Sequence, residues 1–135
     1  MSALNTLLSI AVSIPLLLTP GVTRASNNPV YFQVGNGGEA VGRIIATKYS
    51  AAAGAETQYL APSNVSVRIS AAFQYEDSGA TGSKQASGST SSGYASTAVS
   101  LPPNACWTYI SGIHTADRDG DHGSDISFLD LVGNS

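Results

Sequence analysis

The clearest pattern in the chain runs through residues 65–76, where Val65, Val67, Ile69, Ala71, Phe73 and Tyr75 alternate with Ser66, Arg68, Ser70, Ala72, Gln74 and Glu76. A period of two predicts a strand with one apolar and one solvated face. Twelve residues of it predict the central strand of a sheet whose apolar side a second sheet must cover. Shorter strands are predicted around it. Val30-Tyr31-Phe32-Gln33-Val34 runs into the turn Gly35-Asn36-Gly37-Gly38, and residues 41–50 follow as a second strand. Residues 55–60 admit a strand or a helical turn, since Ala and Glu favour helix while Thr57 and Tyr59 favour strand. Residues 94–101 put Ala95, Thr97, Val99 and Leu101 on one face, and Pro102-Pro103-Asn104 make a corner. Residues 106–115 read as a strand carrying Trp107, Tyr109 and Ile113 on one face, and residues 126–132 close the chain. Residues 78–93 are Ser, Gly, Thr and Ala with one Lys and one Gln. They bury too little apolar surface to offset their ordering entropy and predict a flexible Gly/Ser-rich loop. About seven short strands with Gly, Pro and Asn turns predict an all-β fold, an antiparallel β-sandwich or small barrel.

The N-terminus changes the picture. Residues 7–18 are an apolar run interrupted by Pro15, followed by Thr19-Pro20-Gly21 and Thr23-Arg24-Ala25. An h-region of this length, a breaker and small residues at the minus-three and minus-one sites predict a secretory signal helix cleaved after Ala25. Twelve apolar residues are too few to span a bilayer, so no stable membrane insertion is expected after cleavage. Residues 26–135 then form a single domain, secreted or held at the cell surface.

Charge is placed unevenly. In residues 26–116 Arg43, Lys48, Arg68 and Lys84 balance Glu39, Glu56, Glu76 and Asp77, while beyond Ala116 five Asp outweigh Arg118. With no basic patch, nucleic acid is not an expected partner, nor is an anionic membrane. Cys106 is the single cysteine, so neither an intramolecular disulfide nor a Cys-rich zinc site can form.

The acid concentrates in Asp117-Arg118-Asp119-Gly120-Asp121-His122-Gly123-Ser124-Asp125. Carboxylates at alternating positions can converge on a hard cation, with a backbone carbonyl completing the oxygen set. The expected ligands are Asp117, Asp119, Asp121 and Asp125 through side chains and Gly123 through its carbonyl, with calcium as the structural ion. Without a cation, carboxylates about 6 Å apart repel by roughly 0.7 kcal/mol each even in water. The alternatives are a solvated acidic turn and another divalent ion. These nine residues resemble the Asp-rich calcium loops of the thrombospondin type 3, dockerin and EF-hand group, most closely the first. The resemblance implies a calcium-stabilised loop joining the last two strands.

No nucleophile–base pair presents itself. Eight residues of extended strand separate Cys106 from His114, roughly 26 Å. Cys106 reads as a small buried hydrophobe and His114 as a partly exposed strand residue. The expectation is therefore a protein without catalysis: a secreted, calcium-stabilised binding module for a carbohydrate or another cell-surface ligand. Trp107, Tyr49, Tyr59, Tyr94 and Tyr109 are its candidate stacking faces. The other classes are a self-associating subunit of a surface fibre, pilus, matrix or virion, and a small secreted toxin or inhibitor.

Overall fold

The strand predicted from strict alternation is present as β4 (Asn64–Tyr75), with Val65, Val67, Ile69, Ala71 and Phe73 all buried. It belongs to a computed structural model that describes residues 29–133, so the expected signal segment, residues 1–25, lies outside the described residues. Around β4 stand β1 (Val30–Gln33), β2 (Glu39–Ile45), β3 (Ala52–Gln58), β5 (Thr81–Thr90), β6 (Tyr94–Ser100), β7 (Ala105–Arg118) and β8 (Asp121–Asp130). No helix occurs among the described residues. The strands form two antiparallel four-stranded sheets, in the orders β1-β2-β3-β6 and β5-β4-β7-β8. The chain lays down β1 to β3 in the first sheet and crosses over for the β4–β5 hairpin. It returns for β6, then crosses again for β7 and β8.

The core is what two inward faces supply: Phe32, Ile44, Ala53 and Ala55 from the first sheet, with Val34 just after β1, against Val67, Ile69, Trp107, Ile110 and Leu129 from the second. Residues 55–58 resolve as strand, the end of β3, whose partners on both sides supply the ladder that their mixed propensity does not, while Tyr59 and Leu60 lie beyond the strand.

Two expectations are corrected. Residues 81–90, expected within a flexible loop, are the edge strand β5, paired with β4 from Gln74↔Thr81 to Val65↔Thr90. Three of its four inward positions, Gly82, Ala86 and Gly88, are small, and the fourth, Lys84, reaches across to β6. A Cβ on Gly82 would stand 2.6 Å from the Phe73 ring, and one on Gly88 2.5 Å from the Ser96 carbonyl oxygen. The poverty of apolar surface that suggested a loop is here a fit to close packing, and the backbone ladder supplies the order.

The second correction concerns β7. Trp107 pairs with Phe73 and Tyr109 with Ala72, so Thr108 is an extra residue, a β-bulge. One inserted residue moves everything beyond it to the other face. Trp107 is therefore wholly buried, while Tyr109 and Ile113, expected on its face, point outward at 46% and 41% exposure. The face turned inward instead carries Ile110, Gly112, His114 and Ala116.

At one side of the sandwich β8 lies against β1, where a Cβ on Gly123 would stand 2.1 Å from the Gln33 carbonyl oxygen. At the other side β5 lies against β6. Lys84 Nζ donates to the Ser100 carbonyl (2.8 Å), and Thr90 Oγ1 to the Tyr94 carbonyl (2.7 Å).

Candidate functional site

The acidic stretch forms a hairpin. β7 runs through Asp117 and Arg118, Asp119 and Gly120 make the turn, and β8 begins at Asp121. Both turn residues have positive φ, 53° and 87°, the requirement of a two-residue type I′ hairpin that Asp-Gly meets readily. Pairing distributes the carboxylates. Asp117 stands opposite His122 and hydrogen-bonds its Nδ1. Asp119 is exposed at the tip, and Asp121 lies across against Gly35 in the β1–β2 turn. Asp125 stands opposite His114, and its Oδ1 accepts the Ile126 N–H at 2.8 Å. Gly123 is buried in the seam against β1. The expected ligands are thus parted between strands and turn, and among the described residues no three His, Cys, Asp or Glu side chains gather into a metal-binding group.

His114 is fully buried, which corrects the expectation of partial exposure. Its Nδ1 lies 2.8 Å from Thr57 Oγ1 and its Nε2 2.7 Å from Ser127 Oγ. The Thr57 hydroxyl donates its proton to the Ser66 carbonyl (2.9 Å), so it can only accept from Nδ1–H. That fixes the neutral tautomer, with Nε2 accepting from Ser127. Burial pushes the imidazole pKa down to about 4, against the opposing effects of the Asp125 charge and the Glu56 backbone carbonyl. The ring occupies the space of an absent side chain, since a Cβ on Gly42 would be 2.2 Å from His114 Cγ. One imidazole thereby joins β3 of one sheet to β8 of the other. Cys106 is also buried, at the opposite end of β7, and the two do not form a pair.

A second buried polar group lies on the first sheet. Tyr94 donates to Glu56 Oε1 (2.8 Å), and Arg43 Nε stands 3.4 Å from Glu56 Oε2. Burial and then the Glu56 charge raise the Tyr94 phenol well above its ordinary value, so it stays protonated and holds the carboxylate.

The outward face of the second sheet is the distinctive surface. Tyr109, Ile113, Ile126 and Phe128 are 46%, 41%, 60% and 53% exposed. Ile113 pairs directly with Ile126, and the Tyr109 and Phe128 rings stack with centroids 6.1 Å apart and planes 25° from parallel. Contiguous exposed apolar groups of this size are uncommon on monomeric proteins, which makes this face the candidate site. Of the candidate stacking residues, Trp107 and Tyr59 are buried, Tyr94 is committed to Glu56, and Tyr49 and Tyr109 are exposed. Ile126 and Phe128 escaped sequence reasoning because residues 126–131 offer an apolar pair in either phase, Ile126 with Phe128 or Leu129 with Leu131. The signal that decides is His114, whose hydroxyl partner Ser127 must face inward.

Comparison with protein-family models, curated proteins and solved structures finds no match. The protein is thus defined by its own architecture, two antiparallel sheets packed face to face, with one outward face left apolar.

Proposed function

We propose that this is an exported binding module that acts by contact, through the outward face of the β5-β4-β7-β8 sheet, without chemistry of its own. The observation that carries this reading is the contiguous group of Tyr109, Ile113, Ile126 and Phe128. Export is supported by the apolar run and the Thr23-Arg24-Ala25 cleavage pattern of the N-terminus. The stacked Tyr109–Phe128 pair would lie against the flat face of a sugar ring, and the Ile113–Ile126 pair would pack against a protein surface. Calcium has a smaller place in this reading than in the sequence-based expectation. A cation would need the β7–β8 turn to open before Asp117, Asp119, Asp121 and Asp125 could share it.

The test compares the full chain with Phe128→Asp in two assays, retention on insoluble polysaccharides and self-association by sedimentation. Phe128 is 53% exposed, so the fold tolerates the change. We expect at least one form of binding in the unaltered protein and its loss in the variant, with an unchanged melting temperature. Identical behaviour of the two proteins in both assays would remove the face from consideration.

A further inference from the structure

The strand register places the outward residues of β4, β7 and β8 in three cross-strand rows. Arg68, Ile113 and Ile126 form the first, Ser70, Ser111 and Phe128 the second, and Ala72, Tyr109 and Asp130 the third. Strands about 4.8 Å apart and rows about 7 Å apart make this a three-by-three lattice with Ser111 at its centre. Arg68 and Asp130 occupy opposite corners. Arg68 is exposed and has no hydrogen bond or ion pair with any described residue, although it stands beside an apolar patch. Asp130 is held in place by accepting the Val132 N–H at 2.9 Å.

This pattern is complementary to itself. Consider a two-fold axis lying in the face through Ser111 at about 45° to the strands, close to the other diagonal from Ala72 to Ile126. It brings Arg68 of one copy to within about 3 Å laterally of Asp130 of the other, Ile113 to Phe128 and Tyr109 to Ser70, while Ile126 lies beside its own counterpart. Each charge then meets its opposite, Ile113 meets Phe128 and Ile126 its own copy, while Tyr109 lies over small Ser70, and small Ser111 and Ala72 on or beside the axis let the sheets approach. The strands of the two copies would cross steeply, nearer to orthogonal than to aligned sheet packing. The size fits a weak contact. Four strands of about ten residues present a face roughly 19 Å wide, and a steep crossing overlaps about 370 Å² of it per copy, at the weak, concentration-dependent end of protein interfaces. The outward Ser83, Gln85 and Ser87 of β5 would form its polar rim.

We infer that the partner of this face is a second copy of the chain, docked about that diagonal two-fold with Arg68 paired to Asp130. The inference rests on the contact reading above and names its occupant.

Sedimentation equilibrium of the full chain should show a concentration-dependent monomer–dimer equilibrium. Arg68→Asp and Asp130→Arg should each weaken it by about tenfold or more, and the double exchange should restore it to within about threefold. Because Asp130 also holds Val132, an independent arm uses cross-linking at exposed positions. Ile126→Cys should cross-link to itself under oxidation. Ile113→Cys and Phe128→Cys should cross-link when mixed, and neither should do so efficiently alone. A monomer at all accessible concentrations, a dimer indifferent to the Arg68–Asp130 exchange, or cross-linking of Ile113→Cys to itself would overturn the two-fold arrangement. A monomer whose polysaccharide retention is lost in Phe128→Asp would overturn this inference alone and leave the contact face standing.

Discussion

His114 couples the stability of the protein to pH. Its folded pKa, about 4, lies below the value near 6.5 of an unfolded chain, so the unfolded state binds the extra proton first. The contribution of the neutral ring is complete above pH 6.5 and is lost as pH falls from 6.5 toward 4, at about 1.4 kcal/mol per unit and about 3 kcal/mol in all. Urea unfolding between pH 7 and 4 should show that slope, and His114→Gln should flatten it while lowering stability at pH 7. A slope that survives in the variant would assign the effect to the carboxylates. The slot for the ring is equally specific. Gly42→Ala drives a methyl into the imidazole and should cost about 2 kcal/mol or more by the same assay. Gly120→Ala meets no neighbour but must hold φ at 87°, and should cost about 1 kcal/mol.

At the level of strands, β5 is the sharpest departure from what composition suggests. Its amides that donate into the β4 ladder should exchange with solvent much more slowly than those of an unstructured Ser/Gly segment, by hydrogen–deuterium exchange at neutral pH. Exchange at the rate of a free peptide would return residues 81–90 to a loop. β4 was legible because its alternation is unbroken and its inward residues are all apolar. β7 was legible as a strand but not in phase, since Thr108 shifts the alternation and Tyr109 and Ile113 carry the same apolar signal whichever way they face. β5 was not legible at all: Gly82 and Gly88 are required for smallness against Phe73 and Ser96, a property that only the facing elements define. The acidic stretch suggests a loop for a related reason. Alternating Asp residues suit a cation only if the backbone curls around it, and a two-residue turn at Asp119-Gly120 sends them apart. Deleting Thr108 should be severely destabilising, because it would turn either Trp107 out or Tyr109 in.

For the whole molecule, the spread of the carboxylates implies a stability that owes little to calcium. Thermal unfolding with millimolar calcium, with magnesium and with a chelator should agree to within about 1 °C. A calcium-specific rise absent from Asp119→Ala, Asp121→Ala would show that the turn reshapes around the ion. Another consequence follows from the two seams. Strands at the margins of a sheet are the usual route by which β-proteins polymerise, one chain adding its backbone to the next. Here all four marginal strands lie in seams: β8 presses Gly123 against β1, and β5 sends Lys84 and Thr90 to carbonyls of β6. Growth by strand addition is thereby obstructed on both flanks, and a face that pairs about a two-fold is satisfied after one partner. The two seams together with a self-paired face predict a protein that can be concentrated without setting into fibres, its assemblies ending at a fixed size.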